Sequence, residues 1–337
     1  KAQNIGHKVF KSLGLLGSKK KKPLPTTGKT PIREQVVQFM KKPMPTGMPS
    51  QTTRAMLGVE DDKMIPILRD PKKVTEDSDA VFYFPGCGSE RLFSQVGLST
   101  LAMLYEVGTE TVLPPSYLCC GSPQTSSGDL AKGQAISTAN QVLFHRIANT
   151  FNYMDIKTVI VSCGTCMDQL FKYQFEQIFT GCRLLYIHEY LMEKGLKLDA
   201  VERQQYLYHD PCHSPMKRHN PLKVASTLMG QDVPLSDRCC GEAGTFAVSR
   251  PDIATQVRFR KEEELRKGIA ALGGGGQHTK VLTSCPACQQ GLSRYSNSTG
   301  IETDYIVVEM ARHLHGGQWQ VDFIDEVKQG GIERVLL

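Results

Sequence analysis

Nothing in the 337 residues approaches the roughly 18 consecutive apolar positions of a membrane span. There is also no export signal with an apolar core and a small-residue cleavage site. The chain starts at Lys1 rather than Met, and is read as the C-terminal part of a longer polypeptide or as a processed one. A phosphate cradle is missing as well. Gly273 to Gly276 is a glycine run without a following Gly-Lys-Ser/Thr, so it reads as a helix stop and a loop. Finally, the body lacks excess positive charge. Residues 76–337 carry 24 Lys/Arg against 29 Asp/Glu, whereas residues 1–75 carry 16 against 5. That split argues against a basic nucleic-acid face on the folded part, and no nucleic-acid partner is expected.

Cysteine is present in eleven copies, and their order carries the argument. A lone Cys87 is followed by the vicinal pair Cys119-Cys120 and then by Cys163 and Cys166 in a Cys-x-x-Cys. The same order returns as Cys212, Cys239-Cys240, and Cys285 with Cys288, and only Cys182 stands outside the two sets. Disulfide scaffolds belong to small exported chains. This chain is longer, its 40% hydrophobic content can bury a core, and it lacks an export signal. Thiolate ligation of metal in a reducing, cytoplasmic setting is therefore expected, with peripheral attachment to the inner face of the membrane left open.

Residues 1–75 read as a basic linker rich in Pro and Lys, with Lys19 to Lys22 at its centre and one short helix over 31–40. Order is expected from about Asp79. Ala80 to Phe84, Thr111 to Leu113, Thr158 to Val161 and Leu184 to Ile187 read as strands. Helices are expected over about 90–108, 129–153 and 188–194. The second half repeats this with strands at 206–208, 281–283 and 306–308 and with helices over 221–229, from Pro251 to Gly273, and from Glu309 to His313. Glu189 and Glu309 stand 26 and 24 residues after Cys163 and Cys285, which suggests duplication beyond the cysteines. Strands alternating with helices imply parallel βαβ units, whose ligands gather at the carboxyl ends of the strands. Cys87, Cys163, Cys212 and Cys285 each follow a strand directly.

Zinc would take four ligands from two separated pairs, leaving a fifth cysteine unused and straining a vicinal chelate. A polynuclear iron–sulfur centre lets neighbouring thiolates serve different irons, and it carries electrons. Iron–sulfur is favoured, with zinc the alternative.

On these residues the sequence resembles the tandem cysteine-rich CCG-domain family. That family includes the CCG-bearing component of heterodisulfide reductase and the iron–sulfur subunits of glycolate, lactate and anaerobic glycerol-3-phosphate oxidoreductases. The resemblance covers residues 81–315, and Tyr208-His209-Asp210-Pro211-Cys212-His213 is similar to its second-repeat signature. It implies an α/β fold of two tandem, pseudo-symmetric repeats, each a small mostly parallel sheet flanked by helices, at 76–200 and 201–337. It also implies two non-cubane [4Fe-4S] clusters. One would be held by Cys87, Cys119, Cys120, Cys163 and Cys166, and the other by Cys212, Cys239, Cys240, Cys285 and Cys288. FAD and two cubane clusters would sit on an upstream or partner flavin oxidase and ferredoxin-like part, since no motif for them occurs here. The implied role passes electrons from a flavin-dependent 2-hydroxy-acid dehydrogenase to quinone or another acceptor. Disulfide cleavage at a cluster is the catalytic alternative, and a zinc-stapled interaction scaffold is the third. His213 and His209 are candidates for hydrogen bonds to cluster sulfur, His209 equally for a ring bonded to backbone. Cys182 reads as a packed hydrophobe, and Trp319, Val321 and Phe323 as a terminal packing element.

Overall fold

Ala80 to Phe84 are apolar, β-prone residues closed off by Pro85-Gly86, and they form a strand in which Val81 to Phe84 are all buried. Shelter on both faces is the environment of a strand between parallel neighbours under covering helices. The computed structural model describes residues 49–199, 201, 204–241, 251–273 and 278–337, of 251 and 252 the backbone alone. Nine strands follow one another among the described residues. They are β1 (Met64–Leu68), β2 (Ala80–Phe84), β3 (Glu110–Val112), β4 (Ile156–Val161), β5 (Arg183–Tyr186), β6 (Gln205–His209), β7 (Thr279–Thr283), β8 (Glu302–Tyr305) and β9 (Ile332–Leu336).

The fold is mixed α/β and divides into two compact units. The larger comprises residues 51–201, 213–232 and 305–337, and the smaller comprises 202–212 and 233–304. In the larger unit the sheet order is β5-β4-β2-β3-β1-β9. β5, β4, β2 and β3 are parallel, while β1 runs antiparallel to both β3 and β9. The Ser94–Glu106 helix joins β2 to β3 and is buried from Val96 through Tyr105. Asp129 caps the Leu130–Thr150 helix by accepting from the Lys132 amide. Phe144 on that helix packs against Phe82 at 5.1 Å and Phe175 at 5.6 Å between ring centres.

The smaller unit has the sheet β6-β7-β8, with β6 and β7 parallel. On the other side of β6, Leu235 makes a single parallel bridge to Tyr208. The order Leu235–β6–β7–β8 therefore repeats β3–β2–β4–β5. In both sheets the chain leaves the central strand to one side and returns on the other, and such a switch point opens a crevice at the carboxyl ends.

Several expectations change. The linker does not reach residue 75: the Thr53–Leu57 helix and β1 belong to the larger unit, with Leu57, Ile65, Ile67 and Leu68 buried. The boundary at 201 is crossed, because residues 213–232 and 305–337 join the larger unit. Ile306 to Val308 open the Ile306–His315 helix and are not a strand, which lies just before them as β8. A buried apolar run of this length has no period that separates the two readings. Trp319 and Phe323 are buried as expected, but Val321 is exposed. Gly273 ends the Pro251–Ala271 helix with φ +95°. The basic run at 19–22, the helix over 31–40 and the glycines 274–276 lie outside the described residues.

Candidate metal centres

In the larger unit Cys87 follows β2, the pair Cys119-Cys120 follows β3, and Cys163 ends the turn after β4 and opens the Gly164–Leu170 helix that carries Cys166. All five sulfurs come together at this edge. They form one continuous line of thiol contacts, Cys87–Cys119–Cys120–Cys166–Cys163. Gly86 shows how tight the packing is. It takes φ +64°, and a Cβ there would lie 2.6 Å from Cys166 Sγ.

The smaller unit repeats that line as Cys212–Cys239–Cys240–Cys288–Cys285. Cys240 and Cys288 Sγ are 3.4 Å apart. The supports repeat too. The Tyr83 hydroxyl meets the Ser162 hydroxyl at 2.7 Å, and Tyr208 meets Ser284 at 2.8 Å, each serine just before the Cys-x-x-Cys. Tyr173 donates to the Cys120 carbonyl at 3.1 Å, and Tyr295 to the Cys240 carbonyl at 3.4 Å. Gly121 and Gly241 both take left-handed backbone, φ +86° and +75°, which turns the chain sharply after each pair.

Charge is distributed alike. The second cysteine of each line receives S–H groups from both sides. Cys119 is held down to about 3 by Cys120 and Cys87. Cys239 is held down to about 2 by Cys212 and Cys240. Contact with Cys119 pushes Cys87 far up, and contact with Cys120 and Cys163 does the same to Cys166. Five thiols this close cannot all ionise by themselves, whereas a bound cation of high charge displaces their protons together. Soft sulfur donors converging in numbers beyond four fit a polynuclear iron centre better than one tetrahedral zinc.

The two edges also differ. Cys212 and Cys239 are exposed, whereas Cys87 and Cys119 are half-buried. The Cys119 loop is held by the amide of Asn140, which donates to the Cys119 carbonyl at 2.8 Å. The loop before Cys239 is held by a buried ammonium. Lys261 Nζ donates to the Ser236 carbonyl at 3.0 Å and to the Asp237 carbonyl, and pairs with Glu264 at 3.0 Å. Burial lowers its pKa.

The histidines separate. His213 is an exposed side chain whose Nδ1 lies 2.6 Å from Asp168 Oδ2. His209 is buried beside the smaller set. Its donor atom and the sulfurs of Cys240 and Cys288 all lie within 4.8 Å of one another. The Ser236 carbonyl faces the ring, yet neither ring nitrogen reaches a partner in hydrogen-bonding geometry. Cys182 is buried at the amino end of β5, opposite the cysteine edge, and burial pushes its thiol up to about 11.

Glu189 accepts from the backbone amides of Arg218 and His219, while Glu309 pairs with the side chains of Arg312 and His313. Sequence reasoning missed three structural members: Arg54, Tyr305 and His188. Buried Arg54 pairs with Glu90, three residues after Cys87, at 3.4 Å. Tyr305 donates to the Ser162 carbonyl at 2.6 Å and also bonds Tyr186. His188 is packed between those two tyrosines with neither nitrogen partnered. Lone polar residues of this kind carry no spacing signal.

A family described as Cysteine-rich domain, CCG, matches residues 81–171 and 206–293, together more than half of the chain. The chain belongs to the CCG family. Its two matches carry the two cysteine sets in tandem. Residues 293–337 match a family described only as a domain of unknown function. Among the relatives is a fumarate reductase (CoM/CoB) subunit of Methanothermobacter marburgensis, 27% identical over 61% of this chain and 40% of that protein. Lactate utilization protein A of Oceanobacillus iheyensis is 26% identical over 58% of this chain and 84% of its own. The "Probable glycolate oxidase iron-sulfur subunit" of Bacillus subtilis is 23% identical over 62% and 48%. The chain spans less than half of the fumarate reductase subunit and of two methanogen proteins described as uncharacterized iron-sulfur proteins, each matched over 46% of its length.

Proposed function

We propose that each five-cysteine set holds one iron–sulfur cluster of the non-cubane [4Fe-4S] type, and that the protein is the electron-transferring part of an oxidoreductase. Cys87, Cys119, Cys120, Cys163 and Cys166 hold one cluster, and Cys212, Cys239, Cys240, Cys285 and Cys288 hold the other. The observation that carries this reading is the repeated line of five sulfur contacts at equivalent sheet edges. Such clusters supply one-electron redox chemistry. The protein's own residues place the sulfurs, turn the backbone at Gly121 and Gly241, and fix the Cys-x-x-Cys turns through Tyr83 and Tyr208.

The donor is a flavin-dependent dehydrogenase of a 2-hydroxy acid such as lactate or glycolate, reached directly or through a ferredoxin-like cubane domain. The acceptor is quinone or another electron acceptor. The names of the lactate utilization and glycolate oxidase relatives support this direction. No described helix is long and apolar enough to cross a membrane.

A second reading, reductive cleavage of a disulfide at one cluster, is favoured by the exposure of Cys212 and Cys239. One experiment separates the two. Anaerobic protein reduced with dithionite is mixed with a water-soluble quinone or with an organic disulfide. Rapid reoxidation by quinone alone is expected of a relay. Reoxidation by the disulfide with release of two thiols, and none by quinone, would replace the relay with the reductase.

A further inference from the structure

We propose that His209 is itself a ligand, bound to the same metal as Cys240 and Cys288, so that the smaller unit's centre is a mixed nitrogen–sulfur site. The larger unit's centre is all sulfur. This rests on the reading of the two sets as metal centres, and it changes what those centres are.

Position decides the argument first. His209 is the last residue of β6, three before Cys212, and the matching residue of β2, three before Cys87, is Phe84. Phe84 is fully buried and packs on Phe144, 6.0 Å between ring centres. In the smaller unit the same place holds an imidazole that could equally have been a second phenyl. Its backbone is fixed. His209 pairs with Thr283 across β6 and β7, and the Thr283 hydroxyl donates to its carbonyl at 3.1 Å. The ring is therefore aimed by the sheet and does not drift.

The chemistry decides second. A buried imidazole ordinarily finds a hydrogen-bond partner, and leaving one without is costly. Neither nitrogen of His209 has one, although the residue is only 2% exposed. What it has is sulfur. The ring donor atom and the sulfurs of Cys240 and Cys288 lie within 4.8 Å of one another, with the two sulfurs 3.4 Å apart. Metal–sulfur bonds of about 2.3 Å and metal–nitrogen bonds of about 2.0 Å put donors on one tetrahedral ion about 3.3 to 3.8 Å apart. The trio needs little movement to close on a single ion. A metal-bound imidazole commonly gives its other N–H to a backbone carbonyl, and that of Ser236 faces the ring.

The test uses the whole chain, purified anaerobically, with histidine labelled by ¹⁵N on a ¹⁴N background. Pulsed electron paramagnetic resonance of the reduced protein is expected to show a directly bonded ¹⁵N coupling in one of two centres. That coupling disappears in His209→Phe. The labelled wild-type protein answers the question even if the variant folds poorly. Clusters without a bonded histidine nitrogen, or a coupling that survives His209→Phe, overturn the proposal. Iron and sulfide analysis of the same sample keeps the two readings apart. If zinc replaces iron, the cluster reading fails, and zinc-edge X-ray absorption then decides the ligand. With zinc in both units, an average of half a nitrogen per zinc upholds His209, and sulfur alone overturns it. A smaller unit that binds no metal overturns both.

Discussion

The larger and smaller units carry the same five sulfurs in the same line, but they surround them differently. The larger set is half-buried to buried, faces a phenyl at Phe84 and is held by the neutral amide of Asn140. The smaller set has two exposed sulfurs, an imidazole at His209 and the buried cation of Lys261 behind its vicinal pair. What the two share is sulfurs placed after strands, a left-handed glycine after the vicinal pair, and a tyrosine bonded to the serine before the Cys-x-x-Cys. The features in which they differ are those that tune a redox centre. Nitrogen ligation, a nearby positive charge and solvent access all act on potential. On the proposed reading, the duplication is one scaffold that surrounds two centres differently.

The comparison breaks most visibly through the sulfurs. Cys120→Ser is expected to remove the larger unit's cluster and leave the smaller unit's signal intact, and Cys240→Ser the reverse, because serine oxygen is a harder, poorer ligand. Iron content and the reduced spectrum of each variant check this. Loss of both signals from either variant would mean that the sets are not independent.

Stability sharpens it next. β1 and β9 extend the larger unit's sheet, and the smaller unit's sheet has no such extension among the described residues. Ile67 is 2% exposed on β1, so Ile67→Ala should cost about 2–5 kcal/mol. Calorimetry should show the cost in the larger unit's transition alone.

Acid provides a test of the larger unit's core. His188 belongs to the larger unit, and burial holds its pKa down to about 3. An unfolded histidine titrates near 6.5, so the unfolded chain binds the extra proton first. The neutral ring's contribution is complete above about pH 6.5, and is lost as pH falls from there toward 3, at about 1.4 kcal/mol per unit. Urea titrations between pH 7 and pH 5 should show this slope, and His188→Phe should flatten it. An unchanged slope in the variant would assign it to other groups.

The smallest effect tests likeness and not difference. Tyr83→Phe and Tyr208→Phe each remove one buried hydroxyl from an equivalent serine, and each should cost about 1 kcal/mol. A cost in one unit alone would show that the supports are equivalent in position only.

The site was largely legible in the sequence, and the fold less so. Cysteines placed directly after short apolar runs foretold their meeting at the sheet edge, because parallel strands deliver their ends to one side. The frame around them was hidden. β1 contains Pro66 and lies among Lys and Pro residues, and its partner β9 is more than 250 residues away. Proline argues against a central strand, and pairing this distant leaves no local period to read. Pro66 is tolerated because β1 pairs with β3 only at Ile67 and Leu68. The roles of the two histidines were not separable either. Spacing placed His209 three residues before Cys212 and His213 one after it, but strand and loop sent one inward and the other to Asp168.

The most direct measurement is the iron and acid-labile sulfide content of the whole chain purified without oxygen, with zinc determined on the same sample. Two five-thiolate clusters predict two four-iron centres per chain, sulfide equal to iron, and no zinc. One zinc per unit with neither iron nor sulfide would contradict the account at its centre.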